Sequence, residues 1–149
     1  MAVRTYDAAK VAVTVKGLAI SGWADGTFVV VERMEESFTK VVGADGFTSR
    51  AKSNNRSGTV TLTLSQTSPS NEVLSGLLAE DELNGNGVFP IMVKDISGNT
   101  VLFSGTGWIQ KPPSVEFGKE IANREWIIDV SDLKMTIAGN TGVGVETAV

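Results

Sequence analysis

The chain reads as a β-rich fold carrying a single helix, and three observations predict it. Thr59 to Ser65 alternates without a break, Val60, Leu62 and Leu64 against Thr59, Thr61, Thr63 and Ser65, which is the period of a half-buried strand. Only the segment after Ser68-Pro69 has the convincing apolar spacing of an amphipathic helix. Glycine is frequent, 16 residues against 4 prolines, as in a chain with many turns and bulges.

Taken in order, Lys10 to Lys16 puts Val11, Val13 and Val15 on one face and Ala12 and Thr14 on the other, a half-buried strand. Asp25-Gly26 marks a turn into Thr27–Met34, whose three consecutive valines predict a strand covered on both faces or packed near a sheet centre. Phe38–Val42 adds a short strand before the Asp45-Gly46 turn. Ser49 to Gly58 is a polar loop, with Arg50, Lys52 and Arg56 around Asn54-Asn55, and it leads into the alternating strand. Ser68 can cap the helix, and Pro69 suits its first turn because the missing N–H would be unpaired there. Val73, Leu74, Leu77, Leu78 and Leu83 are expected to form one apolar stripe, with Glu72, Glu80, Asp81 and Glu82 in water and Gly85 as a left-handed cap.

Beyond the helix the pattern is β again. Val88–Lys94 aligns Phe89, Ile91 and Val93 on one face, and Pro90 implies an edge or a bulge. Ser97-Gly98-Asn99 turns the chain into Thr100–Gln110, and Lys111-Pro112-Pro113 breaks pairing. Val115–Lys119, Arg124–Val130 and Leu133–Ala138 are the remaining expected strands. Residues 140–149 are small and polar and read as a flexible tail to a single domain spanning 1–149.

Composition narrows the function. A chain of 149 residues with 42% hydrophobic residues is long enough to bury about 70% of its unfolded surface. It has no cysteine and no histidine, which removes thiol nucleophiles, disulfides, imidazole bases and the commonest metal ligands together. No nucleophile–base pair or metal cluster can be assembled, so neither an enzyme nor a cofactor is expected. No apolar stretch approaches the roughly 20 residues that span a bilayer, and the first residues lack a signal-peptide pattern. These features predict a soluble, unexported protein that does not bind membrane. The net charge of −4 and pI near 4.8 disfavour a nucleic-acid binder, whose phosphate contacts need clustered Lys and Arg.

Candidate sites weaken on inspection. Gly139 to Gly144 resembles a phosphate-binding loop but lacks the Lys-Ser/Thr and following helix, so a flexible tail is expected. Asp95, Ser97 and Asn99 alternate like calcium ligands without the distal glutamate, and a hairpin turn is expected instead. Glu116, Glu120, Glu125 and Asp129 could pair for acid–base work, yet strand alternation predicts that several share one solvated face while Trp126 faces the core. Arg50, Lys52 and Arg56 lack the interleaved aromatics of a nucleic-acid surface. Their loop is either solvated or an arm that pairs with acids on a neighbouring subunit; both readings stay open.

Several segments together resemble a known family. These are VRTYD at Val3–Asp7, ISGWADGTFVVVER at Ile20–Arg33, VVGADGFTSRAKSNNRSGTVTLTLSQTSPSNEVLS at Val41–Ser75, VFPIMVKDISG at Val88–Gly98 and KPPSVEFGKEIANREW at Lys111–Trp126. They look like the tail tube subunits of contractile-tailed bacteriophages, over Met1 to about Gly139, and the central block is the most specific part. The resemblance implies two packed antiparallel sheets with one flanking helix, similar to the tube protein of type VI secretion systems. It implies hexameric rings, inner sheets joined into a barrel around a lumen, and rings stacked into a tube inside the sheath. It also implies a virion component assembled in the host cytoplasm. Its partners would be further copies, the sheath, the baseplate initiator, the tape measure protein and the tail terminator, with genomic DNA passing through unbound.

On this reading Phe47, Arg50, Lys52, Asn54, Asn55 and Arg56 would form an inter-subunit loop, and some of Glu116, Glu120, Glu125 and Asp129 would line the lumen. The alternatives are a secretion-system tube protein, a tail-tube capping protein, and a carbohydrate-binding β-sandwich using Trp23, Trp108 or Trp126.

Overall fold

The structure, a computed structural model, describes residues 3–140. Alternating segments become strands wherever one face can be buried. They are β1 (Val11–Val15), β2 (Leu18–Ala19), β3 (Val29–Arg33), β4 (Phe38–Val42), β5 (Thr48–Lys52), β6 (Gly58–Ser65), β7 (Phe89–Asp95), β8 (Val101–Lys111), β9 (Asn123–Val130) and β10 (Lys134–Thr136), with one helix, α1 (Ser70–Asn84). Two antiparallel sheets and one helix result, as the resemblance implies. One sheet has eight strands in the order β2-β1-β7-β8-β9-β6-β3, with β10 also on β8, and the other is the β4-β5 pair.

The large sheet curls around a single core, and β8 lets it do so. The first part of β8 pairs with β7 and β10, through Leu102↔Val93 and Leu102↔Met135. Its last part pairs with β9, through Gly107↔Val130 and Ile109↔Ile128. Ser104, fully buried between these parts, turns its Oγ back to its own strand, donating to the Thr106 carbonyl at 3.2 Å. One wing is therefore β3-β6-β9 with the end of β8; the other is β2-β1-β7 with the start of β8 and β10. Val60, Leu62 and Leu64 of β6 meet Val13 and Val15 of β1 in one buried cluster with Ile91 and Ile128.

Helix α1 covers one side of this core through Leu74, Leu77 and Leu78. Ser68 does cap it: its Oγ accepts the Ser70 N–H at 3.2 Å and donates to the Ser21 carbonyl at 2.5 Å. Gly85 ends it at φ 75°, the left-handed cap. Trp126 is buried as expected, and its Nε1–H donates to Asn71 Oδ1 at 2.9 Å, tying β9 to the helix. Pro90 occupies a bulge, where the β7–β8 register shifts between Phe89 and Ile91.

Four expectations are corrected. Leu83 is 85% exposed, because at about 100° per residue it lies half a rotation from Leu74. The valine run of Thr27–Met34 becomes β3, an edge strand, and Val30 is 46% exposed because no other described residue covers its outer face. The polar loop Ser49–Gly58 is not a loop throughout: Thr48–Lys52 pairs with β4, and Gly58 already belongs to β6. Val115–Lys119 forms no strand; Val115 and Phe117 alternate, but no neighbouring surface buries them. Residues 141–149, which include most of the glycine-rich segment and the expected flexible tail, lie outside the described residues.

Candidate assembly interface

The β4-β5 hairpin is an arm. Its register pairs Phe38↔Lys52, Lys40↔Arg50 and Val42↔Thr48, so these six side chains share one face, and Thr39, Val41, Ser49 and Ala51 share the other. Every residue of both strands is exposed. The Arg50 guanidinium lies 4.1 Å from the centroid of the Phe38 ring, so a cation and an aromatic ring present one combined surface. Phe47, at the tip, is 72% exposed after a turn with Gly46 at φ 88°. An isolated two-stranded hairpin is marginally stable at best, so an arm that buries neither face gains little from its own packing.

The arm continues the β3–β6 ladder across an interruption. Met34 N–H donates to the Ser57 carbonyl at 3.1 Å, and Ser53 N–H to the Ser37 carbonyl at 2.8 Å. Between these rungs Ser53 Oγ donates to Glu35 at 3.0 Å, and Asn55 Oδ1 accepts from Ser57 N–H at 3.0 Å. Asn54, Asn55 and Arg56 are therefore the arm's linker, whereas Phe47, Arg50 and Lys52 belong to the arm itself.

The second surface is the outer face of the β3-β6-β9-β8 wing. The register aligns Glu32, Thr59, Asp129 and Trp108 in one row, and Val30, Thr61, Ile127 and Lys111 in the next. Glu125 lies opposite Thr63. Gln110 Nε2 donates to Asp129 Oδ2 at 3.3 Å. This face carries the hydroxyls of Thr59, Thr61 and Thr63, and its three carboxylates, Glu32, Glu125 and Asp129, are offset among the described residues by one ammonium, Lys111. The four candidate acids divide: Glu125 and Asp129 share this face, while Glu116 and Glu120 sit exposed in the connection from β8 to β9. The break at Pro112-Pro113, together with the missing strand at Val115–Lys119, takes those two off the alternation.

That connection holds a residue the sequence reading left out. Arg124 is 8% exposed, and its guanidinium donates to the Glu116 and Asn123 carbonyls, both at 3.2 Å, and lies 5.5 Å from the Phe117 ring centroid. The signal was available, since Arg124 alternates in phase with Trp126 and so must point inward with it. The three tryptophans offer no exposed platform: Trp126 is buried and Trp23 and Trp108 are half-buried. Asp95 Oδ1 accepts from Ser97 N–H at 3.0 Å and Oγ at 2.7 Å, the hairpin turn expected there. Among the described residues no three acidic side chains come together in a metal-binding arrangement.

Known proteins resemble this chain in sequence and in fold. A family model described as the bacteriophage PhiTE tail tube protein matches residues 4–138. Structural protein ORF10 of Pseudomonas phage KPP10 is 33% identical over 131 residues, covering 87% of this chain and 76% of that protein. The sheath/tube terminator of the extracellular contractile injection system PVC aligns with a TM-score of 0.64 at 14% identity, over 89% of this chain and 97% of that one. A chain of the PVC sheath-tube complex gives 0.60 at 15% identity, over 89% and 91%. The tube-terminating cap of the anti-feeding prophage gives 0.62 at 13%, over 91% and 94%. At such identities these structures share the fold. The sequence matches go further, and the chain belongs to the PhiTE-type bacteriophage tail tube proteins, a structural, non-enzymatic family of the virion tail.

Proposed function

We propose that this chain is the repeating subunit of a contractile-tail tube, forming hexameric rings that stack into a hollow conduit for DNA inside the sheath. The observation that carries the reading is a pair of strand edges on one wing that no described residue pairs with. β3 ends the sheet on one side. On the other, β7 pairing stops at Gly107, and Trp108–Lys111 pairs with β9 alone. The wing has an even number of antiparallel strands, so β8 of one copy runs antiparallel to β3 of the next. Each copy can then extend the ladder of its neighbour, and closing the ring removes the edges that would otherwise aggregate.

In such a ring the polar, net acidic outer face of the wing lines the lumen. Glu32, Glu125 and Asp129 outnumber Lys111 there, so DNA is repelled rather than held through phosphate contacts. The arm reaches adjacent copies with Phe38, Phe47, Arg50 and Lys52, and its ordering is compensated on assembly. The sheath, the baseplate initiator, the tape measure protein and the tail terminator are the remaining partners of this reading.

The likeness in fold to two terminators supports a second reading, a capping ring at one end of the tube. Negative-stain microscopy of the purified protein separates the two. A tube subunit gives hollow tubes of indefinite length; a cap stops at a single ring; a protein that remains monomeric at all concentrations refutes both.

A further inference from the structure

β3 and the chain leading to β10 are held together at one end and part at the other. Arg33 clamps the closed end, its Nε and Nη2 donating to the Leu133 carbonyl at 3.2 and 2.6 Å. Towards Val29 and Ile137 the two diverge around a largely apolar cleft of about 680 Å³, lined by Tyr6, Val11, Val29, Val31, Met135 and Ile137 among others. Tyr6 and Ile137 are 61% and 76% exposed at its mouth. The cleft thus opens beside the free edge of β3, at the strand's first residues.

At the far side of the same wing, the segment that follows β8 carries its own unburied apolar groups. Val115, Phe117 and Ile121 are 58%, 81% and 68% exposed. Strand polarity brings the two features together. Because β8 of one copy would run antiparallel to β3 of the next, the end of β8 at Lys111 lies beside the start of β3 at Val29. The residues after Lys111 then emerge where the cleft opens.

We infer that the Pro112–Ala122 segment of each copy fills the cleft of the next copy in the ring, with Phe117 as the chief inserted side chain. This rests on the ring reading above. It gives the seam two components: backbone pairing of β8 with β3, which is indifferent to sequence, and an apolar plug that recognises this chain in particular. It also gives Arg124 a purpose, since its hydrogen bond to the Glu116 carbonyl fixes the segment next to the plug.

The absence of cysteine makes the test clean. A chain carrying Phe117→Cys and Ile137→Cys, both at exposed positions, is treated with a short bismaleimide under assembling conditions. The expected result is a ladder of covalent oligomers on denaturing gels that ends in one closed species, whereas a mixture of the two single variants gives dimers only. Ile121→Cys with Tyr6→Cys is a second pair and should give the same ladder if the first variant fails to assemble. Rings that yield no ladder with either pair overturn the inference and leave the ring reading intact. A ladder obtained instead from Phe47→Cys with Ile137→Cys makes the arm the occupant. A cross-linked monomer from Val143→Cys with Ile137→Cys makes it the chain's own C-terminal residues. Either of these overturns the inference. Wild-type protein that forms no rings by microscopy overturns the ring reading and this inference with it.

Discussion

Leu74 and Leu83 sit on the same helix with the same side chain and opposite fates, fully buried and 85% exposed. The difference is phase about the helix axis, so their contributions to stability must differ as well. Leu74→Ala should cost about 2–5 kcal/mol, the transfer loss plus a cavity that the surrounding β-sheet cannot collapse into. Leu83→Ala should fall within about 0.5 kcal/mol of wild type in the isolated chain. Urea denaturation of the monomer measures both, and equal effects would mean that the helix is rotated from the orientation described. Gly58 is constrained in another way: an added Cβ would come within 2.4 Å of the Glu32 carbonyl and 2.7 Å of Leu133 Cδ2. Glycine there lets β3 and the chain before β10 converge, which sets the closed end of the cleft.

Among the elements, the arm separates folding from assembly. Its base is pinned by the Ser53 N–H to Ser37 carbonyl bond, so the chain ends on either side of Phe38–Lys52 are adjacent. Replacing that hairpin with a two-residue Asn-Gly turn should leave circular dichroism and melting temperature close to wild type, since none of its residues belongs to the core. Tubes should be absent by negative stain; normal tubes from this variant would remove the arm from assembly. The arm was half legible in the sequence. Its basic residues and polar linker stood out, but the strand within it was concealed by Ser49, Arg50 and Lys52, which carry no buried face to reveal a period of two. The converse error at Val115–Lys119 has the same cause. There an alternating pattern was present, but no strand among the described residues pairs with it.

At the scale of the whole molecule, the proposed ring has to turn one face of each copy to its lumen. The wing bearing Glu125 and Asp129 has an excess of carboxylates on its outer face, and a lumen surface of that kind should shed DNA. Tubes assembled from the Glu125→Lys, Asp129→Lys double variant should co-sediment with short duplex DNA in low salt and release it as salt rises, while wild-type tubes should not retain it. If the variant tubes also ignore DNA, this face lies away from the lumen.

The sequence by itself determined what depends on neighbours along the chain. It placed the alternating strand β6, the capped helix with its left-handed glycine end, an edge or a bulge at Pro90 and the inward-facing Trp126, because periodicity and local hydrogen bonding act over a few residues. It also set the family, through the ordered blocks from Val3 to Trp126. Only the tertiary structure decided that the valine run of β3 is an edge, that Glu116 and Glu120 leave the face shared by Glu125 and Asp129, and that a cleft opens beside β3. Each of these depends on which strands meet across long sequence separations, and on which surfaces the chain leaves uncovered once its core is complete.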